Sequence, residues 1–330
     1  MKGEGEMRWD RLWGYGILCL LVLMGAGSGW GATKYAGEFL SFGVGARALG
    51  MGSAFVAVCD DATAGYWNAA GLAQLRDREL ALSHSERFAG VVKYDFGGFG
   101  LPLGEAGGLG ISLIRVGVDD IKYTVLRDPK KALSASNRPQ VSKVVSNADY
   151  VLVLSHGRRF LRGSGYVWRA LSVGGSLKVI RRTIGEHTAW GYGVDVGLLV
   201  TPVWGLTFGA NARDVAWTTV SWDTGAKDRI QPSLEIGMAY KVQVPFLKGQ
   251  LTWAVGSGRL GEDGREEGTE GMNAGVEYRY GDHLAVRLGS ERKNLTAGAG
   301  LRYARFGVDY AFLGHEELGG THRVSASVRF

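Results

Sequence analysis

Apolar and polar residues alternate along most of the chain, beginning near residue 78. In residues 272–280, for example, Met272 and Val276 share one face, whereas Asn273 and Glu277 share the other. Successive side chains of a strand point to opposite faces, so this period of two predicts strands with one face in an apolar medium. About fourteen strands are expected, near 78–84, 90–101, 108–118, 148–157, 168–181, 190–200, 205–215, 232–242, 250–257, 271–280, 283–291, 295–304, 305–312 and 321–330.

The gaps between these segments tend to alternate in length. The longer gaps are 119–147, 182–189, 216–231, 258–270 and 313–320, and most of the others are short. Bacterial outer-membrane barrels have an even number of antiparallel strands, with short periplasmic turns and longer outer loops. Three connections depart from this rule, namely 85–89, 158–167 and 292–294. A soluble sandwich has no reason to sort its loops, so the pattern predicts an all-β fold, a transmembrane antiparallel β-barrel.

The final strand ends on an aromatic residue at the last position of the chain. Val324, Val328 and Phe330 fall on one face of this strand. An aromatic terminus on an alternating strand resembles the signal by which the barrel-assembly machinery recognises its substrates. An unpaired backbone group in hydrocarbon costs several kcal/mol, so we expect the last strand to pair with the first and close the barrel.

The N-terminus has the pattern of an export signal. Arg8 and Arg11 precede an apolar stretch, 17–24, and small residues follow it up to residue 32. This order is typical of a cleaved secretory signal peptide, whereas a retained membrane helix would need about 20 apolar residues. We therefore predict a signal peptide over 1–31, cleaved after Ser28 or Gly31, with translation starting at Met1 or Met7.

Composition agrees with an exported barrel and excludes other classes. The chain has 53 Gly and only 6 Pro, together with 13 Tyr and 10 Trp. A net charge of +6 is too small to indicate nucleic-acid binding. Cys19 lies in the signal peptide, which leaves Cys59 alone in the mature chain, so no disulfide framework or zinc site is expected.

Charged residues fall on the polar face of the predicted strands. On the lipid face an Arg or Lys costs about 2–4 kcal/mol at the bilayer midplane, so these side chains are expected to point into the lumen. Their mixed signs predict ion pairs between strands, which favours a narrow or plugged barrel over a wide pore. The predicted lumen-facing charges are Glu235, Glu277, Arg279, Arg287, Arg302, Asp309 and Arg323.

Residues 33–76 do not alternate, and they carry a family resemblance. The segment 42–58 reads FGVGARALGMGSAFVAV, and the segment 60–72 reads DDATAGYWNAAGL. These residues resemble the PorV/PorQ family of outer-membrane proteins and, more remotely, the FadL-type long-chain fatty acid transporters. The family pattern has Asn-Pro-Ala where this chain has Asn68-Ala69-Ala70, so the rigid turn expected from proline is absent.

The resemblance implies that residues 32–76 form a plug or hatch in the mouth of a barrel made by residues 77–330. It assigns plug packing or gating to Arg47, Asp60, Asp61 and Asn68. Read on their own, Asp60 and Asp61 are suited to capping a short helix, and Arg47 is suited to pairing with either of them in a polar lumen. Asn68, near a glycine, is suited to a turn.

The sequence contains no motif for catalysis, a cofactor or a metal. The segment 43–48 fits a loose dinucleotide-binding pattern, but no buried strand precedes it and no alternating strand–helix units follow. His84 with Ser83 and a loop aspartate is one candidate for the chemistry of a membrane-embedded hydrolase, which remains an alternative to a non-enzymatic role, as does a purely structural barrel.

Two functions therefore remain open for a bacterial outer-membrane protein of this kind. One is transport of a hydrophobic solute past a rearranging plug. The other, which the PorV/PorQ resemblance implies, is export or surface attachment of secreted proteins in bacteria with type IX secretion, with the loops 119–147 and 262–270 holding the cargo. The expected partners are outer-membrane lipid, the barrel-assembly machinery, and either a secreted protein or a hydrophobic small molecule.

Overall fold

A computed structural model of the chain describes residues 36–88, 90–162, 169–258, 271–314 and 319–330. The predicted signal peptide and the proposed cargo loop 262–270 lie outside these residues. The strands are β1 (Glu79–Arg87), β2 (Val92–Pro102), β3 (Gly108–Leu126), β4 (Pro139–Arg162), β5 (Ala170–Ile184), β6 (His187–Thr201), β7 (Leu206–Arg213), β8 (Thr218–Trp222), β9 (Lys227–Ile230), β10 (Ser233–Val244), β11 (Gly249–Gly256), β12 (Asn273–Tyr280), β13 (Leu284–Glu291), β14 (Asn294–Tyr303), β15 (Phe306–Leu313) and β16 (Thr321–Arg329).

Within the described residues, fourteen of these strands close into an antiparallel barrel. Each of them pairs with its neighbour in sequence, except that β7 pairs with β10 across the β8–β9 hairpin. The barrel closes between β1 and β16, where Glu79 lies opposite Arg329 and Glu86 lies opposite His322. The prediction of a fourteen-strand antiparallel barrel is therefore confirmed.

The two ends of the barrel differ in their connections. Both chain ends of the barrel meet at one end, where the backbones of Arg78 and Phe330 exchange two hydrogen bonds. Most described turns at this end are short, including 202–205, 281–283 and 304–305. Short turns on the side of the termini identify this end as the periplasmic end.

Two of the predicted long outer connections are wrong. The gap 119–147 is mostly strand, because β3 and β4 continue past the barrel wall as a two-stranded ribbon that ends in a loop over 127–138. The gap 182–189 reduces to a turn at 185–186, since β5 and β6 also extend outward. Above the membrane both faces of a strand meet water, so the alternation that marks a spanning strand lapses there.

The lipid-facing surface of the wall is apolar over its middle. Leu82, Ile111, Leu177, Leu288 and Val308 are each about half exposed or more on this surface. On the periplasmic side Phe330 stacks on Phe99, with ring centroids 6.2 Å apart. None of the helices in the described residues is long and apolar enough to cross a membrane.

Residues 36–77 lie inside the barrel, and we call them the plug. The plug contains two short α-helices, α1 (Ala46–Gly50) and α2 (Ala64–Trp67), and 3₁₀ turns at Glu38–Leu40 and Ala69–Gln74. Helix α1 contacts β13–β16, whereas the second 3₁₀ turn contacts β2–β6 on the opposite wall. The plug therefore spans the lumen, and its apolar residues form the main buried core.

Glycines on the inner wall allow the plug backbone to come very close. A Cβ added at any of eight of these positions would lie only 2.1–2.7 Å from a plug atom. Most of those atoms belong to the plug backbone, which cannot move aside as a flexible side chain can. These glycines are Gly108, Gly157, Gly174, Gly197, Gly209, Gly237, Gly275 and Gly289. Part of the high glycine content is thus explained by the seating of the plug.

Candidate functional site

The clearest functional feature is a network of ion pairs that joins the plug to the periplasmic half of the wall. Arg47, on helix α1, lies 2.5 Å from Asp60 and 3.0 Å from Asp61, both within the plug. It also lies 2.9 Å from Glu277 on β12. Asp60 receives a second contact, at 2.6 Å, from Lys241 on β10. One arginine therefore holds two parts of the plug together and fastens both to the wall.

Glu277 is the centre of this network on the wall side. Its side chain is 1% exposed, and its two oxygens accept hydrogen bonds from three guanidinium groups. These belong to Arg47 at 2.9 Å, Arg279 at 2.8 Å and Arg287 at 2.7 Å. Arg287 also bonds Asp309 on β15 at 2.7 Å. We call these residues the Arg47 cluster: Arg47, Asp60, Asp61, Lys241, Glu277, Arg279, Arg287 and Asp309.

The Arg47 cluster is balanced in charge, since it contains four cations and four carboxylates. Burial of Asp60 alone would raise its pKa, but the nearby Arg47 and Lys241 charges hold the pKa of this carboxyl well below its usual value. Asp60 therefore stays ionised in the plug at physiological pH. Charges inside a protein are tolerated when they are paired and hydrogen-bonded in this way.

Asn68 holds the periplasmic half of the plug through hydrogen bonds of its uncharged side chain. It is fully buried, and its amide nitrogen lies 3.0 Å from the Val56 carbonyl and 3.0 Å from the Leu198 carbonyl on β6. Its side-chain oxygen accepts a hydrogen bond from the Ala70 amide and so caps the 3₁₀ turn. Asp61 accepts hydrogen bonds from Thr63 just before helix α2. The structure thus places all four residues of the proposed gate in plug packing.

The lumen-facing charges predicted from the sequence all lie on the inner face of the wall. Glu277, Arg279, Arg287 and Asp309 belong to the Arg47 cluster. Glu235 pairs with Arg213 across β10 and β7 at 3.3 Å. Arg323 is fully buried near the outer end, where it donates to the carbonyl of Phe42 at 3.0 Å. Arg302 lines the periplasmic opening.

A second buried ion cluster, not singled out from the sequence, lies in the wall at β5 and β6. Lys178 is 4% exposed and lies 2.8 Å from Asp195 and 2.7 Å from Asp214. Asp214 sits at a left-handed backbone position where β7 turns away and β6 changes its partner from β7 to β8. Lys178 and Asp195 both lie on the inner face of their strands, but only the fold shows that they meet. These residues line a small pocket behind the plug, together with Tyr66 and Ile114.

A larger cavity opens on the outer side of the plug. It is a narrow pocket open to solvent, and Phe55, Tyr66 and Trp67 of the plug lie buried at its floor, each at most 5% exposed. Glu235, Asn273, Glu291 and Arg292 on the wall add polar groups to its lining. The accessible surface of this pocket is more polar than apolar, and the aromatic rings become available only if the plug moves. This cavity is a candidate entry site for a solute from outside.

Comparison with solved structures shows that the chain shares the fold of bacterial hydrocarbon transporters. It matches the toluene transporter TbuX of Ralstonia pickettii with a TM-score of 0.50 and 13% identity, over 88% of this chain and 99% of that one. It matches the toluene transporter TodX of Pseudomonas putida with a TM-score of 0.51 and 13% identity, over 87% of this chain and 97% of that one. The chain is an outer-membrane β-barrel.

At the level of sequence the comparisons find nothing: no family model and no curated protein matches this outer-membrane barrel. The structural likeness, at 13% identity, is one of fold. It covers nearly the whole length of both transporters, so the likeness extends over the fold as a unit. The localisation predicted from the signal peptide and the strand pattern, the bacterial outer membrane, is confirmed.

The hydrolase candidate drawn from the sequence does not assemble in the structure. His84 faces the lipid side of β1, where its Nδ1 atom lies 2.6 Å from Asp95. Ser83 is the next residue of the same strand, and its side chain faces the lumen. The two side chains therefore lie on opposite sides of the barrel wall, and this serine cannot act as the nucleophile for His84.

Proposed function

We propose that this outer-membrane barrel transports hydrophobic small molecules from outside the cell, with the plug as its gate. The observation that carries the proposal is a pocket open to the outside above a closed plug, with the aromatic residues Phe55, Tyr66 and Trp67 buried at its floor: the plug fills the path beyond. The shared fold with toluene transporters supports the same class of solute. Passage requires the plug to rearrange, and the Arg47 cluster is the group of contacts that must change.

In this proposal an apolar solute first enters the outer pocket and then replaces the plug's own packing against Phe55 and Trp67, which are buried at its floor in the closed state. Burial of apolar area provides the binding free energy, at roughly 25 cal/mol per Å². The ion pairs on the periplasmic side keep the plug closed in the absence of solute. Charged side chains of the plug can exchange one ion-pair partner for another. Such an exchange lets the plug move without exposing a large apolar surface to water.

Filling the outer cavity tests this proposal. Ser41 lines the cavity, so the substitution Ser41→Trp is expected to lower the uptake of radiolabelled toluene or long-chain fatty acid about tenfold, because it occupies the entry site. Uptake is measured in cells that produce this barrel as their only route for such solutes. The matched control, Ser136→Trp, places the same side chain in the exposed loop 127–138 and should leave uptake unchanged.

A second function, attachment of exported proteins at the cell surface, is favoured by the ribbon formed by β3 and β4. Its strands expose Tyr123, Val125, Val141 and Val144, and Lys122, Lys130 and Lys131 add positive charge. This is the function that the PorV/PorQ resemblance of residues 42–72 implies. Deleting residues 122–143 separates the two proposals. Lost surface proteins with unchanged uptake support attachment, whereas unchanged surface proteins count against it.

A further inference from the structure

A cavity at the periplasmic end of the barrel is lined by more positive than negative charge. It is a solvent-open pocket between the ends of strands β12–β15, beneath the Arg47 cluster. Four arginines line it, namely Arg47, Arg279, Arg287 and Arg302. The only carboxylates in its lining are those of Asp282 and Asp309. Its position at the short turns means that it opens toward the periplasm.

Two of the three carboxylates that lie near these arginines are already in use; the third, Asp282, forms no ion pair with a residue that the structure describes. Asp309 is bonded to Arg287 at 2.7 Å, and Glu277, above the cavity, is shared by Arg47, Arg279 and Arg287. Arg302 has no ion pair with any residue that the structure describes, although its side chain is half-buried. The neighbouring Arg329 forms an ion pair with Glu79 at 3.1 Å. The cavity thus has guanidinium donors in excess of acceptors.

We propose that this cavity is a binding site for a small oxyanion, a carboxylate or a phosphate, held by Arg302 and Arg279. Guanidinium groups present paired N–H donors that match the two oxygens of a carboxylate or phosphate. A cleft with an excess of one charge, and with low-dielectric walls, concentrates ions of the opposite sign. An anion here supplies the acceptor that Arg302 lacks. This site does not depend on the proposed transport of hydrophobic solutes.

The position of the site also links it to the plug. Arg279 reaches the cavity while it donates to Glu277, the same carboxylate that binds Arg47 of the plug. An anion that accepts hydrogen bonds from Arg279 changes the hydrogen bonds that Glu277 makes. Glu277 is also the wall residue that binds Arg47 of the plug. The bound anion therefore lies one side chain away from the contact that holds helix α1 to the wall.

Titration calorimetry on the mature barrel, refolded in detergent, tests the site. Benzoate and inorganic phosphate are titrated at low and high salt, with benzamide as an uncharged molecule of the shape of benzoate. Saturable binding of either anion, without binding of benzamide, supports the site. Binding of benzoate alone identifies a carboxylate of an organic solute as the ligand, and binding of phosphate alone identifies a free inorganic anion.

The variant Arg302→Gln is expected to weaken anion binding about tenfold or more, since it removes a charged donor. The control is Arg305→Gln, which removes the same charge from an exposed turn at the same end of the barrel but lies outside the cavity lining. An equal loss in both variants, or no saturable binding in the parent protein, overturns the proposal. Circular dichroism and heat-modifiable migration in gels establish that both variants fold.

Discussion

Replacing Glu277 with glutamine is expected to lower the free energy of unfolding of the barrel by about 3–5 kcal/mol, because it leaves the buried cluster with four cations and only three carboxylates. Glu277 is 1% exposed and binds Arg47, Arg279 and Arg287. Glutamine keeps the shape of the side chain and one acceptor oxygen, so the loss reports on charge rather than on packing. Urea unfolding of the refolded barrel in detergent micelles measures this change.

The effect should be specific to the cluster. Glu105→Gln changes the same residue type at an exposed periplasmic turn and is expected to leave stability within about 0.5 kcal/mol of the parent. Adding Arg47→Gln to Glu277→Gln restores equal numbers of cations and carboxylates in the cluster and should recover part of the lost stability. If the double variant is as unstable as the sum of the two single variants, Arg47 and Glu277 are not coupled as the structure shows.

The barrel itself was predictable from the sequence because a strand in a membrane has two different surroundings. Lipid on one side and a polar lumen on the other impose a strict alternation, as in residues 272–280, and force charges such as Glu277 and Arg287 to the inner face. The ends of β3 were not predictable in this way. Beyond Val118 the strand leaves the membrane, and a register shift before Ile121 also breaks the alternation.

The contacts of the candidate site were harder to foresee, for a different reason. Residues such as Arg47 and Glu277 are far apart in the chain, and any inward carboxylate was an equal candidate partner. Which ones meet depends on the height of each strand in the barrel and on the path of the plug, neither of which leaves a local pattern. The cluster of Lys178 and Asp195 with Asp214 depends in addition on an irregular turn after β7.

Glycine at position 275 is expected to be essential for the closed plug. A Cβ at this position would lie 2.2 Å from the carbonyl oxygen of Met51, and closer than 2.8 Å to two further Met51 backbone atoms. Overpacking of this kind typically costs about 1–3 kcal/mol. For Gly275→Ala we therefore expect a folded barrel that conducts ions, whereas the parent protein is closed. Conductance in planar bilayers and the sensitivity of cells to large antibiotics measure this opening.

The control for this variant lies on the other face of the wall. Gly175 faces lipid on β5, and a Cβ there would have its nearest neighbour at 3.7 Å, so Gly175→Ala should leave the channel closed. If both Gly275→Ala and Gly175→Ala remain closed to ions, the close contact between Gly275 and the plug is contradicted.

The plug, rather than the wall, is expected to yield in Gly275→Ala. Strand β12 is paired along its whole length with β11 on one side and with β13 on the other, so a shift of Gly275 would break two ladders. Met51 is held at this point by two backbone hydrogen bonds within the plug, from its N–H to the Ala48 carbonyl and from the Ala54 N–H to its own carbonyl, and by the contacts of helix α1. Moving the plug by a fraction of an ångström breaks far fewer bonds. Because Arg47 lies in the same helix, that movement also strains its bonds to Glu277, and for this reason a single methyl group on the wall should open the barrel.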